Sequence, residues 1–276
     1  MDVRVHSAVA EFVAIAGALY RRHPVLSTVE LSLLEDPAAL RRFCPEPLLL
    51  TVWQGGEPVG CAMQTPPFPL LCSGLQTGDQ VDAAVDTLVR IRPDLNGVRG
   101  IHSTATLFAS QWTAVTGRVA TVTTDERLYR LGTLIPPVGV AGRQRVANPA
   151  DESVLERWWA EFHIEAFGTV PGGPPGTEPV VLWEVEATPT SMAMVRRPAA
   201  GVSRIGPVYT PPNRRGRGYG SAVTAAAAQW AKGHGVADVV LFTDLSNPVS
   251  NAIYQRIGFR PVADSARLDF GPAVRG

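Results

Sequence analysis

Neither sign of charge prevails in this chain of 276 residues. Lys+Arg and Asp+Glu number 25 each, so no net field draws it toward DNA, RNA or anionic lipid. Lysine is almost missing: Lys232 stands alone among basic side chains that are otherwise arginine. Cysteine is scarce. Cys44, Cys61 and Cys72 are odd in number and lack C-x-x-C spacing, which argues against a zinc site or a disulfide framework and for a reduced cytosolic setting. No metal site is expected. The apolar stretch over residues 8–20 is too short to cross a bilayer and is broken by Glu11. The opening Met1-Asp2-Val3-Arg4 does not begin a signal peptide. A cytoplasmic protein follows as the expectation, with neither a membrane nor a nucleic acid as partner. Also missing is G-x-x-x-x-G-K-[ST], which excludes an ATP-type phosphate loop.

What is present suffices for two domains of about 140 residues each. A hydrophobic content of 45% beside 18% charged residues describes a globular chain with a core to bury. Val9, Phe12, Val13, Ala16 and Leu19 recur at helical spacing. Residues 48–53 and 58–64 are apolar runs flanking Gly55-Gly56, a hairpin signature. Residues 79–91 and 104–115 read as helices and 118–129 alternate like a strand. Residues 131–149 are rich in Gly and Pro and lack a period, so the domain junction belongs there. The division expected is 1–133, a linker over 134–148, and a second domain from 149 to 276.

The second half opens on a helix over 149–167 with Leu155, Trp158, Trp159, Phe162 and Phe167 on a broad apolar face. The adjacent Trp158 and Trp159 read as core rather than as a ligand cage. Residues 168–179 form a loop by composition. Strands are expected over 180–183, 191–196, 202–209 and 237–243, helices over 218–232 and 248–256, and two strand-like runs after Gly258. His102 and His163 have no second ligand at metal spacing and read as packing or surface residues. One internal echo stands out. Trp53 is followed by Pro58 and then Ala62-Met63, and Trp183 by Pro189 and then Ala193-Met194. The equal offset from proline to Ala-Met, in hairpins at the same place of each half, suggests a duplicated domain.

The most informative stretch is Val208-Tyr209-Thr210-Pro211-Pro212-Asn213-Arg214-Arg215-Gly216-Arg217-Gly218-Tyr219-Gly220-Ser221. A strand runs into a glycine-dense turn and an alanine-rich helix follows at once. Such a turn offers main-chain N–H groups where the helix dipole favours an anion, and its arginines attract a polyphosphate. The glycines run G-x-G-x-G rather than G-x-G-x-x-G, and five residues separate strand from first glycine, so a dinucleotide turn does not fit. Further on, Asn247 is suited to an N-cap, Pro248 to the first helical position and Gly258 to a stop. Between them lies Tyr254.

Arg215-Gly216-Arg217-Gly218-Tyr219-Gly220 resembles the R/Q-x-x-G-x-G/A signature of the GNAT superfamily of N-acetyltransferases. Asn247-Pro248-x-Ser250-x-x-x-Tyr254 followed by Gly258-Phe259 looks like that family's second cofactor motif at the usual spacing. The resemblance covers the chain from about residue 148 onward. It implies a mixed α/β acyl-CoA N-acyltransferase (GNAT) fold, with a mostly antiparallel central sheet flanked by helices, in two tandem copies. It implies that the amides from Gly216 to Ser221 hold the diphosphate of acetyl-CoA, with Arg215 opening the turn. Val208, Tyr209 and Thr210 would pair with the pantetheine arm, Asn247 would contact it, and Tyr254 would protonate the leaving thiolate. A main-chain N–H within 208–210 would serve the oxyanion.

The function implied is acetyl transfer from acetyl-CoA to an amine of a small molecule, amino acid or peptide. A sensor that binds acyl-CoA without turnover, and a protein lysine or N-terminal acetyltransferase, are the alternatives. A homodimer is left open. Residues 203–210 carry no acid to act as base; Glu184, Glu186 and Asp244 are the nearest by position, and none is assigned. In the first half the matching turn, Pro69 to Asp79, has neither clustered glycines nor arginine, so that half is expected to be degenerate. Its role is to shape the acceptor site or to stabilise its partner. The loop over 168–179 sits where this family commonly builds the acceptor wall.

Overall fold

The computed structural model describes residues 1–169 and 178–273. The chain divides into two compact units, neither of them one continuous stretch. The first comprises Met1–Leu128, Asp244–Ser246 and the residues from Val262 on; the second comprises Tyr129–Thr243 and Asn247–Pro261.

Eleven elements belong to the first half of the chain: β1 (Asp2–Val5), α1 (Val9–Tyr20), α2 (Thr28–Leu34), α3 (Pro37–Phe43), β2 (Leu48–Gln54), β3 (Glu57–Gln64), β4 (Leu70–Leu71), α4 (Gly78–Ile91), β5 (Gly97–Ile101), α5 (His102–Thr116) and β6 (Arg118–Leu131). There follow β7 (Arg143–Val146), α6 (Glu152–Phe167), β8 (Val180–Val185), β9 (Thr188–Val195), β10 (Val202–Tyr209), α7 (Tyr219–Gly233), β11 (Asp238–Asp244), α8 (Pro248–Arg256) and β12 (Phe259–Ala273). Most pairings are antiparallel; β4–β5 and β10–β11 are parallel, each pair joined by a crossover helix, α4 or α7.

In the first unit the strand order runs β1-β2-β3-β4-β5-β12, with Ser265 to Asp269 of β12 opposite Ile101 to Gly97. Val81, Ala84, Val85 and Leu88 of α4 recur at helical spacing and are buried. They share a core with Leu50, Val52 and Phe108, where Trp112 is stacked with both Phe108 and Phe270. In the second unit the order runs β11-β10-β9-β8-β7. Alternation along its strands makes two cores. Val181, Ala193, Ile205 and Leu241 lie with the alanines of α7, while Val180, Leu182, Met192, Met194 and Tyr209 lie with Trp158 of α6. The small alanine side chains let α7 pack closely on its sheet: Ala225, Ala226, Ala227 and Ala228 are all buried.

The echo in the sequence has a structural counterpart. In both hairpins, β2–β3 and β8–β9, the two-residue turn has positive φ, at Gly55-Gly56 and at Glu186-Ala187. In both, the register slips beside the tryptophan, at Val52/Trp53 and at Trp183/Glu184.

The structure departs from the sequence reading in several places, and β1, α2, α3, β4 and β5 have no counterpart in it. The stretch expected as a linker carries β7, paired with β8. Its residues Arg-Gln-Arg-Val lie on an exposed edge and show no apolar alternation, so no period marks them. The two runs expected at the end are one strand of 15 residues, β12. Of the apolar face of α6, Trp158 alone is fully buried. Within the loop read over 168–179, residues 170–177 lie outside the described residues.

Candidate functional site

The site is built where two parallel strands part. β10 and β11 pair only over Val202↔Asp238, Ser203↔Val239 and Arg204↔Val240. On its other edge β10 continues against β9 to Tyr209, with a register shift between Ile205 and Val208. The irregularity falls at Gly206-Pro207, where Pro207 has no N–H to give a ladder, and a bulge bends the strand that carries it. The edge of β10 facing β11, from Ile205 to Tyr209, therefore has no ladder partner among the described residues. An extended chain bearing amide groups could pair with that edge as an added strand would.

Just beyond lies the glycine turn. Val208 and Thr210 are half-buried and Tyr209 is buried. Thr210 shares a hydrogen bond with Ser191 (Oγ1–Oγ 2.8 Å). A short 3-10 turn over Pro212–Arg214 leads to Arg215, and then Gly216 and Gly218 both take the left-handed conformation, at φ +76° and +81°. Side chains rarely adopt it, so glycine is required at both. At Gly218 space is short as well: an added Cβ would stand 3.0 Å from Val140 Cγ2. Gly218 is the N-cap of α7 and offers no side-chain cap. The N–H groups of Tyr219, Gly220 and Ser221, which no helical carbonyl can take, are thus left uncapped beside the parting strands. Tyr219 is buried, Gly220 and Ser221 are half-buried, and Gly216, Arg217 and Gly218 are exposed. Donors, dipole and arginines together make an anion site.

The third part is α8. Asn247 accepts from the Ser250 N–H (3.0 Å) and so caps the helix that Pro248 opens. Tyr254 is buried within the same core cluster as Ile205 and Leu241, with Val208 packed against it. Ile205 and Leu241, the first residues past the last β10–β11 pair, belong to that same cluster. Its ring neighbours are Tyr129 and Phe259, at centroid distances of 6.4 and 6.2 Å. Burial pushes its phenol up to about 12, against a smaller downward pull from the Ser250 hydroxyl. At neutral pH it is an uncharged donor.

Sequence reasoning missed the carboxylates of α6. The Tyr209 hydroxyl donates to Glu161 (3.0 Å), and burial with that bond raises its pKa to about 12. One helical turn on, Glu165 pairs with Arg215 (2.6 Å), whose Nε–H also donates to the Thr210 carbonyl (2.9 Å). The i, i+4 spacing of Glu161 and Glu165 on a helix was readable; their partners were not. Of the acids nearest by position, Glu184 is bound by Arg143 and Arg145, and the guanidinium of Arg145, with a lesser share from Arg143, holds its carboxyl below the usual range. It is a structural partner and unsuited as a base. Glu186 sits in the β8–β9 turn, and Asp244 accepts from the Ser246 N–H (2.6 Å).

In the first unit the matching helix start is closed. The side chain of Thr77 caps α4 by accepting from the Gln80 N–H (3.4 Å), and Gln80 Oε1 accepts from the Gln76 N–H (2.7 Å). A Cβ on Gly74 would fall 2.4 Å from the Cys61 carbonyl oxygen, so the turn is packed rather than open. β4 also stays with β5, since the Cys72 N–H donates to the Arg99 carbonyl (2.9 Å). With the Gln76 and Gln80 amides taken and no room at Gly74, this turn offers less to a phosphate than the start of α7 does. His102 in this unit lines a cavity of about 360 Å³ with Asp125, Ser103 and Asp264. His163 bonds the Trp159 carbonyl (2.8 Å).

Comparison with known proteins agrees with this geometry. Residues 147–259 match the model of the Acetyltransferase (GNAT) family. No curated protein sequence matches the chain. Among solved structures, a GCN5-related N-acetyltransferase from Kribbella flavida superposes with a TM-score of 0.58 at 20% identity, over 81% of this chain and 90% of that one. A tandem GNAT protein from the clavulanic acid biosynthesis pathway gives 0.60 at 12% identity over the whole of both chains. A GCN5-related N-acetyltransferase from Sphaerobacter thermophilus gives 0.55 at 17% identity, over 99% and 98%. At such identities the likeness is one of fold: mixed α/β, with the GNAT fold in tandem. Residues 147–259 thus resemble the acetyltransferase (GNAT) family in sequence, and the whole chain shares the fold of a tandem GNAT protein.

Proposed function

We propose that the second half of the chain, from residue 149 on, transfers an acetyl group from acetyl-CoA to the amine of a small molecule, amino acid or peptide. The observation that carries this reading is the uncapped start of α7 beside the fork of β10 and β11. The amides from Gly216 to Ser221 hold the diphosphate, Arg215 and Arg217 supplying positive charge. The pantetheine arm lies along Val208 to Thr210, and Asn247 meets it from the start of α8. The thioester then reaches the fork, beside the cluster that holds Tyr254.

The acceptor must first shed a proton, since an ammonium has a pKa of about 10 in water. Its nitrogen forms a bond to the thioester carbon, and the oxyanion that results is met by a main-chain N–H of the 208–210 segment. Collapse breaks the C–S bond, and the proton lost by nitrogen is balanced by one gained at sulfur. A phenol near 12 is a weaker acid than a thiol by roughly three pKa units. Tyr254 therefore lowers the barrier mainly as a hydrogen-bond donor to sulfur while its charge develops. No covalent enzyme intermediate is required once both reactants are held in line. Localisation in the cytoplasm belongs to the same reading.

Titration calorimetry with coenzyme A, followed by thiol release from acetyl-CoA over a panel of amines, tests the proposal. Binding with amine-dependent thiol release is the expected result. Absence of any affinity for coenzyme A removes the enzymatic reading.

A further inference from the structure

Arg215 stands at the mouth of the phosphate turn, but its guanidinium is engaged elsewhere. One nitrogen lies 2.6 Å from Glu165 of α6, and Nε donates to the Thr210 carbonyl at 2.9 Å. The side chains of Arg215 and Glu165 are 44% and 52% exposed, so water screens the pair and it is easily parted. The same helix takes the Tyr209 hydroxyl through Glu161. Two carboxylates one turn apart on α6 thus hold both ends of the segment Tyr209 to Arg215, which runs from the forked strand into the phosphate turn.

We propose that Glu165 is a positioning residue that competes with the cofactor's diphosphate for Arg215. Without cofactor, Glu165 holds the guanidinium on the α6 side. A diphosphate at the start of α7 offers a higher charge and bidentate oxygens, and Arg215 exchanges one anion for the other. Glu165 then lowers cofactor affinity and frees the C-terminal turn of α6 only once the cofactor has bound. The inference rests on the cofactor reading above.

A thermodynamic cycle in the full-length protein tests it, with coenzyme A titrated into wild type, Glu165→Gln, Arg215→Ala and the double variant. Glu165→Gln should bind about two- to fivefold more tightly, the range set by removing an exposed ion pair that competes. Arg215→Ala should bind more weakly, and in its background the gain from Glu165→Gln should vanish. Unchanged or weaker binding by Glu165→Gln overturns the proposal, because it means the ion pair only braces the turn. An equal gain in both backgrounds also overturns it, since Glu165 would then act by general repulsion. A wild type that binds no coenzyme A would instead refute the cofactor reading itself, a separate outcome.

Discussion

Replacing Tyr254 by Phe removes one buried hydroxyl and little else. The ring stays in the cluster with Tyr129 and Phe259, so no cavity opens. The loss to stability is that of a single hydrogen bond to the Ser250 side chain, about 1 kcal/mol, or a fall of roughly 2–4 °C in melting temperature for a domain of this size. Acetyl-CoA affinity should be unchanged, because the phosphate turn and the β10 edge are untouched. Turnover should fall about a hundredfold, at the low end for losing a positioned proton donor. With the wild-type phenol raised to about 12 by burial, it stays protonated throughout the range in which activity can be assayed. The rising limb of the pH–rate profile should then belong to the acceptor amine and keep its midpoint in the variant. Steady-state kinetics of thiol release from pH 6 to 10, beside calorimetry with coenzyme A, reads all of these. A variant with wild-type kcat would remove Tyr254 from the mechanism, and a shifted midpoint would show that its phenol titrates in the assay range.

Three further substitutions probe the turn and the first unit. Gly216→Ala and Gly218→Ala each force a side chain into the left-handed region, at about 1–2 kcal/mol, and should weaken coenzyme A binding. Gly218→Ala should be the worse by calorimetry and by melting temperature, because its Cβ also meets Val140 at 3.0 Å. In the first unit Glu30 is buried, with one carboxyl oxygen unpartnered, and burial raises its pKa. Its contribution to stability is present in full below its unfolded pKa and is lost as pH rises through the folded value. Glu30→Gln should therefore flatten stability against pH and leave the protein more stable than wild type at pH 8, as denaturant unfolding at pH 4 and pH 8 would show; a steeper fall in the variant would refute the assignment.

Much of this protein is carried by local chemistry, and local chemistry is legible in order of residues. Gly216 and Gly218 mark the backbone that must turn left, Asn247 and Pro248 mark a helix start, and the repeated Trp, Pro and Ala-Met mark two like hairpins. Each depends only on near neighbours, so each was expected where it was found. The want of clustered glycine and arginine in the turn before α4 was legible, but not that Gln80 and Thr77 would accept from the Gln76 and Gln80 amides. β7 escaped notice because an exposed edge strand has no apolar period to show.

Tertiary structure alone decided which groups meet. The fork between β10 and β11 comes from pairing that ends after Arg204, and pairing is a relation between strands distant in sequence. Glu184 is bound to Arg143 and Arg145, and Glu161 and Glu165 reach Tyr209 and Arg215 across some 50 positions of chain. Charge–charge and hydrogen-bond energies fall off with distance in space, and residue spacing along an unfolded chain does not fix that distance.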